Sequence, residues 1–192
     1  MHMHISVPVA DVYDKLTILD IKAENIEDPS KLLSIRSEIT ALKHDTRNLN
    51  INFTFYNRLK LINSKLFELL DQMYFLKHDV THPEYAILSN KSFIENDRRF
   101  RMKRKINAFH NSEIKEVKSY ATNVCIITTD QITFDSKTVD KIQDLSTYYD
   151  KVFYIGLTDN NAFDNDDSIV RISSDEIETL ILSYTRLVKV EI

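Results

Sequence analysis

The sequence predicts an α+β protein, with a helical bundle over residues 1–120 and a small parallel α/β unit over residues 121–192. Three observations point there. The chain has one glycine, Gly156, and three prolines, Pro8, Pro29 and Pro83, so few residues break a helix or make a tight turn. Apolar residues recur at helical spacing as far as about residue 118. From Ala121 onward, short apolar runs alternate with helical patterns, as in strand–helix–strand units.

Each element follows from its residues. Pro8 opens a first helix over DVYDKLTILDIKAENI, in which Val12, Leu16, Leu19, Ala23 and Ile26 form one apolar stripe. Pro29, with Asp28 or Ser30 as a cap, opens a second helix that buries Leu32, Ile35, Ile39 and Leu42. The polar link NLNIN leads to a third helix, about residues 54–77, whose apolar side holds Leu59, Ile62, Leu66, Leu69, Leu70 and Met73. HDVTHPEY interrupts the pattern at Pro83, and a fourth helix runs from about Tyr85 to Phe109. Four helices with short links predict an antiparallel bundle.

In the second half, Asn123 to Thr128 reads as a buried strand, Lys137 to Tyr149 as a helix, Val152 to Leu157 as a second strand and Ile169 to Ile172 as a third. Ser173 and Glu176 fit a capping box that starts a last helix carrying Ile177, Leu180, Ile181 and Tyr184. The unit resembles half of a Rossmann sheet. It is thin for an independent core, so packing on the bundle or on another subunit is expected.

Composition excludes several functions. One glycine cannot write a dinucleotide fingerprint or a P-loop. The lone Cys125 sits in an apolar run and reads as a reduced core thiol, which suits a cytosolic protein of a bacterium or an infected host cell. No stretch is apolar enough to span a membrane, and MHMHISVPVAD does not read as a signal peptide. His2 with His4, and His78 with Asp79 and His82, are weak metal patterns, and Asp159, Asp164, Asp166 and Asp167 lack calcium-loop spacing. No metal and no cofactor is expected. Thr128, Thr129 and Asp130 end the first strand, where α/β units place ligands, but no catalytic constellation surrounds them.

The feature that stands out is SFIENDRRFRMKRKIN, residues 92–107. The chain carries a net charge of -4, yet Arg98, Arg99, Arg101, Lys103, Arg104 and Lys105 fall within eight positions. On a helical wheel, Leu88, Met102, Ile106 and Phe109 make one apolar side, and Phe93 and Phe100 lie nearly opposite, as in a helix sandwiched within a bundle. Arg98, Arg101 and Lys105 share a flank expected to face water. Asn96, Arg99, Lys103 and Asn107 form the other flank, which is expected to border a groove. On the first helix, Asp14 lies on a second apolar face with Ile18, Ile21 and Asn25, and Lys15 and Lys22 lie between the faces. A buried carboxylate needs a partner, and Arg99 offers it a two-pronged fork. Two readings stand open: an ion-pair network among Asp14, Asp97, Arg99 and Lys103, or an anion site of Arg99 and Lys103 with Lys15 or Lys22. A nucleic-acid footprint is disfavoured, because Phe93 and Phe100 fall on the core side and are not interleaved on the basic face.

DKLTILDIK at residues 14–22, NDRR at 96–99 with KRKIN at 103–107, and EVKSY at 116–120 resemble the motifs of a family of small bacterial and viral helical proteins of unknown function. The resemblance covers about residues 5–120. It implies a helical domain and an association with cell-surface polysaccharide genes, and it supplies no catalytic residue. The motif residues Asp14, Lys15, Lys22, Asn96, Arg99, Lys103 and Asn107 are those the wheel singles out. The expected function is a binding module that takes a phosphorylated small ligand, a nucleotide or sugar phosphate, in a basic cleft between the first and fourth helices. The alternatives are an assembly protein, such as a homo-oligomer, whose charges only join helices and subunits, and an enzyme on a nucleotide sugar with Asp14 as base.

Overall fold

The computed structural model describes residues 5–114, 116, 122–128, 134–156, 162–163, 166, 168–183 and 187–191. His2, His4, Lys118, Ser119, Tyr120, Thr129, Asp130, Asp159, Asp164, Asp167 and Tyr184 lie outside the described residues. The chain divides into two compact units, residues 1–115 and 116–192.

The first unit has four helices: α1 (Val9–Asn25), α2 (Pro29–Asp45), α3 (Phe53–Leu76) and α4 (Pro83–Phe109). Their starts are written in local chemistry. The Asp28 carboxylate accepts from the backbone N–H groups of Ser30 and Lys31, and Asn52 Oδ1 accepts from Thr54 and Phe55. His82 Nδ1 accepts from Glu84 N–H, and Pro83 takes the first helical position, where no N–H is missed. Pro8 before α1 has no side-chain acceptor, and the far end of α4 supplies one instead. Asn111 adopts φ 51°, the left-handed conformation that ends a helix. The turn it makes sends Ser112 N–H to the Asn107 carbonyl and Asn111 N–H to that of Ala108. Asn107 Oδ1 then accepts from Ala10 N–H at 2.9 Å, and Ser112 Oγ accepts from Val9 N–H at 3.3 Å.

Ala10, Tyr13, Leu59, Ile62, Leu66, Met102 and Ile106 form the core between α1, α3 and α4. Tyr13, outside the predicted stripe, is fully buried, whereas Val12 and Ala23 are only half-buried. A helix packed on three neighbours buries more than one stripe. Helix α2 packs on α1 and buries Ile35, with Leu32, Ile39 and Leu42 half-buried. Helices α3 and α4 have 24 and 27 residues against 17 each for α1 and α2, so the α3–α4 hairpin outruns its cover. Its far end therefore leaves Leu70, Tyr74, Phe75 and Phe93 exposed. Leu70 and Phe93 were expected inside.

The second unit is a parallel sheet of four strands, β1 (Val124–Thr128), β2 (Lys151–Tyr154), β3 (Ile169–Arg171) and β4 (Leu187–Glu191), in the order β3-β2-β1-β4. Helix α5 (Ser136–Leu145) follows β1. A single 3-10 turn (Ser174–Glu176) opened by the Ser173–Glu176 capping box leads into α6 (Ile177–Ser183). β1, one of the two inner strands, buries Val124, Cys125, Ile126 and Ile127 completely, because both sheet faces are covered. β4 was not anticipated. Its alternation of apolar residues with Lys189 and Glu191 is that of a half-exposed edge strand, and it is short. Gly156 holds φ 150° against the Phe134 ring, a conformation L side chains rarely adopt.

Candidate functional site

Helices α1 and α4 run antiparallel, and polar pairs join them like rungs. Asn107 meets Ala10 N–H, Lys103 Nζ lies 2.7 Å from Asp11 Oδ1, and Arg99 clasps Asp14 with two N–H groups. The Arg99 Nε to Asp14 Oδ1 distance is 2.7 Å. Asn63 of α3 donates to the same oxygen at 3.0 Å and to Thr17 Oγ1 at 2.9 Å, while Thr17 donates to the Asp14 carbonyl. The Asp14 side chain is 10% exposed and that of Arg99 30%. This is a partly buried, bidentate pair with a neutral amide at its back.

Beyond Arg99 the rungs stop and a groove of about 460 Å³ opens between α1, α3 and α4. Ile18, Ile21, Leu66, Phe67, Leu70, Met73 and Phe93 make its apolar walls. Lys22, Asn63, Asn96 and Arg99 add cationic and hydrogen-bonding groups to its lining, and among the described residues no Asp or Glu lines the groove. Among the described residues, the side chains of Lys22 and Asn96 make no hydrogen bond or ion pair, and both residues are exposed. The groove is an apolar trough whose lining carries two cations and two side-chain amides.

The predicted site residues thus separate. Lys22, Asn96 and Arg99 border the groove, with Asp14 behind Arg99. Lys103 and Asn107 belong to the clasp around the start of α1. Lys15 turns away and pairs with Glu38 of α2 at 2.6 Å, both half exposed to water. The expectation that Arg98, Arg101 and Lys105 face water is overturned, since all three are buried, at 3%, 9% and 5% exposure. Arg98 donates to both oxygens of Glu95 at 3.1 Å, and Arg101 and Lys105 are likewise engaged in polar interactions, as buried charge requires.

Residues 1–139 match a family of unknown function, DUF6165. The chain belongs to this family. The DUF6165 match covers the whole groove, both clasps and β1, and it ends within α5, beyond the extent of the motif resemblance. No curated protein and no solved structure matches the chain.

Sequence reasoning missed Asn63 and Asp11, which lack a helical partner pattern of their own. It also missed a buried relay in which Tyr13 Oη accepts from Asn52 N–H at 2.7 Å and bonds His110 Nε2 at 2.7 Å. Burial pushes the Tyr13 hydroxyl up and the His110 imidazole down from their ordinary values. The Cys125 thiol, pushed up to about 11 by burial, is no nucleophile at neutral pH. Among the described residues no three of His, Cys, Asp and Glu cluster as metal ligands. No helix is long and apolar enough to cross a membrane.

Proposed function

We propose that the N-terminal unit is a binding module whose groove takes the acidic group of a small ligand at Lys22, Asn96 and Arg99. The observation that carries this reading is the groove's lining, where, among the described residues, Lys22 is a cation without a counter-charge and no carboxylate competes. Asp14 orients Arg99 toward it, and Lys103 and Asn107 hold α4 against α1. Phosphorylated small molecules are the first class to test. A cytosolic setting, self-association and a link to cell-surface polysaccharide belong to the same proposal and rest on composition and on the motif resemblance.

A second reading, an assembly protein without a ligand, is favoured by the rungs Asp14–Arg99 and Asp11–Lys103, which account for two of the cations structurally. The enzymatic reading loses its base, since Arg99 engages both oxygens of Asp14. A thermal-shift screen with phosphate, sugar phosphates, nucleotides and phosphate monoesters separates the readings. A ligand at about 100 times its Kd adds roughly 2.7 kcal/mol, a rise on the order of 5–10 °C. A selective rise lost in Lys22→Ala supports the module. No rise with any acidic compound supports assembly.

A further inference from the structure

We propose, resting on that reading, that the ligand is an amphiphile: a single alkyl or isoprenoid chain ending in a phosphate or carboxylate. The acidic head sits at Lys22 and Asn96, and the chain lies along Phe67, Leu70, Met73 and Phe93. The walls decide the body of the ligand. A sugar or nucleoside has hydroxyls along its length, and each one buried without a partner is costly. Besides Lys22, Asn63, Asn96 and Arg99, the polar side chains described at the groove are Ser89 and Ser92, and the Ser92 hydroxyl already turns to Met73 Sδ at 3.4 Å. Phe93 is 71% and Leu70 57% exposed, so a chain laid over them removes apolar surface from water on both partners. The volume of about 460 Å³ suits a small ligand. Charge complementarity decides the head, because among the described residues the groove's lining carries cations and no anion.

The test is calorimetric titration of the full chain with dodecyl phosphate, octyl phosphate, dodecanoate, octanol and inorganic phosphate, each below its aggregation limit. Affinity should rise about fourfold per methylene from octyl to dodecyl phosphate. Lys22→Ala should weaken both acidic amphiphiles about tenfold, the effect of one lost charge-assisted contact. Ser89→Phe, which fills the trough, should remove binding while the protein melts as before. If inorganic phosphate or a sugar phosphate binds as tightly as dodecyl phosphate, the amphiphile is refuted and the binding module stands. If octanol binds as tightly as octyl phosphate and Lys22→Ala changes nothing, the acidic site is refuted as well. If nothing binds, both proposals fail; a dimer in light scattering that Ser89→Phe splits would then identify a second copy as the occupant.

Discussion

Arg99→Met tests whether the α1–α4 clasp carries stability. The variant keeps an unbranched side chain of similar length and removes the guanidinium. It leaves Asp14, 10% exposed at its side chain, with Asn63 as its remaining side-chain donor. Breaking a fully buried pair costs about 3–5 kcal/mol. Here Arg99 is 30% exposed, so water reaches the vacated side of the carboxylate, and the expected loss is about 2–3 kcal/mol. That is a fall in Tm on the order of 10 °C for a unit of this size. Asp14→Asn should cost less, about 1–2 kcal/mol, because the stranded guanidinium can turn to water. The double variant should fall short of the sum by about 1 kcal/mol or more, the coupling between groups in direct contact. Urea melts followed by far-ultraviolet circular dichroism give all four corners of the cycle. Additive effects, or an Arg99→Met loss under about 0.5 kcal/mol, would refute the clasp and make the pair an incidental surface contact.

Three further outcomes follow from the same geometry. Asn107→Ala removes the acceptor for the buried Ala10 N–H and should cost about 2 kcal/mol in urea melts, with Asn107→Asp, which keeps the acceptor, losing less. His110 has its proton affinity lowered by burial from the ordinary 6.5, so its neutral form contributes stability that is whole above that value and is lost as pH falls below it. Between about pH 7.5 and pH 5.5 the wild type should therefore lose more stability than His110→Gln, and equal losses would remove the relay from the account. Gly156→Ala sets a Cβ 2.6 Å from the Phe134 ring at φ 150° and should destabilise the second unit by about 1–3 kcal/mol, read from hydrogen exchange in β1 and β2.

The elements were legible where one periodicity decided them. The four helices and the first three strands lie where apolar spacing and the caps at Asp28 and Ser173 place them. β4 was not legible, because LVKVE reads as strand only once β1 is beside it. At the site, the wheel picked the Asn96–Arg99–Lys103–Asn107 row and set it facing α1, since the spacing of these residues alone puts them on one flank. It could not tell which flank of α4 was enclosed. That is set by packing partners far away in the chain, and Arg98, Arg101 and Lys105 came out buried and Phe93 exposed. Asn63 and Asp11 were out of reach for the same reason, because each gains its role only from a partner far away in the chain.

The difference in helix length also bears on the two readings of the basic row. Asn107 and Lys103 lie where α1 begins, and α1 gives them Ala10 N–H and Asp11. Arg99 lies one turn further on and meets Asp14 while still bordering the groove. Asn96 lies past the last rung and gets no partner from α1, although α1 continues alongside as Ile18, Ile21 and Lys22. A row serving only to tie two helices would keep its acidic partners for as long as the helices stay together. Instead α1 opposes it with Ile18, Ile21 and a second cation at Lys22. Arg99 is already matched by Asp14, whereas Lys22 borders this space with no carboxylate, among the described residues, to balance it. An acidic ligand supplies that balance, so the ligand reading rests on this end of the row and the structural reading on the other.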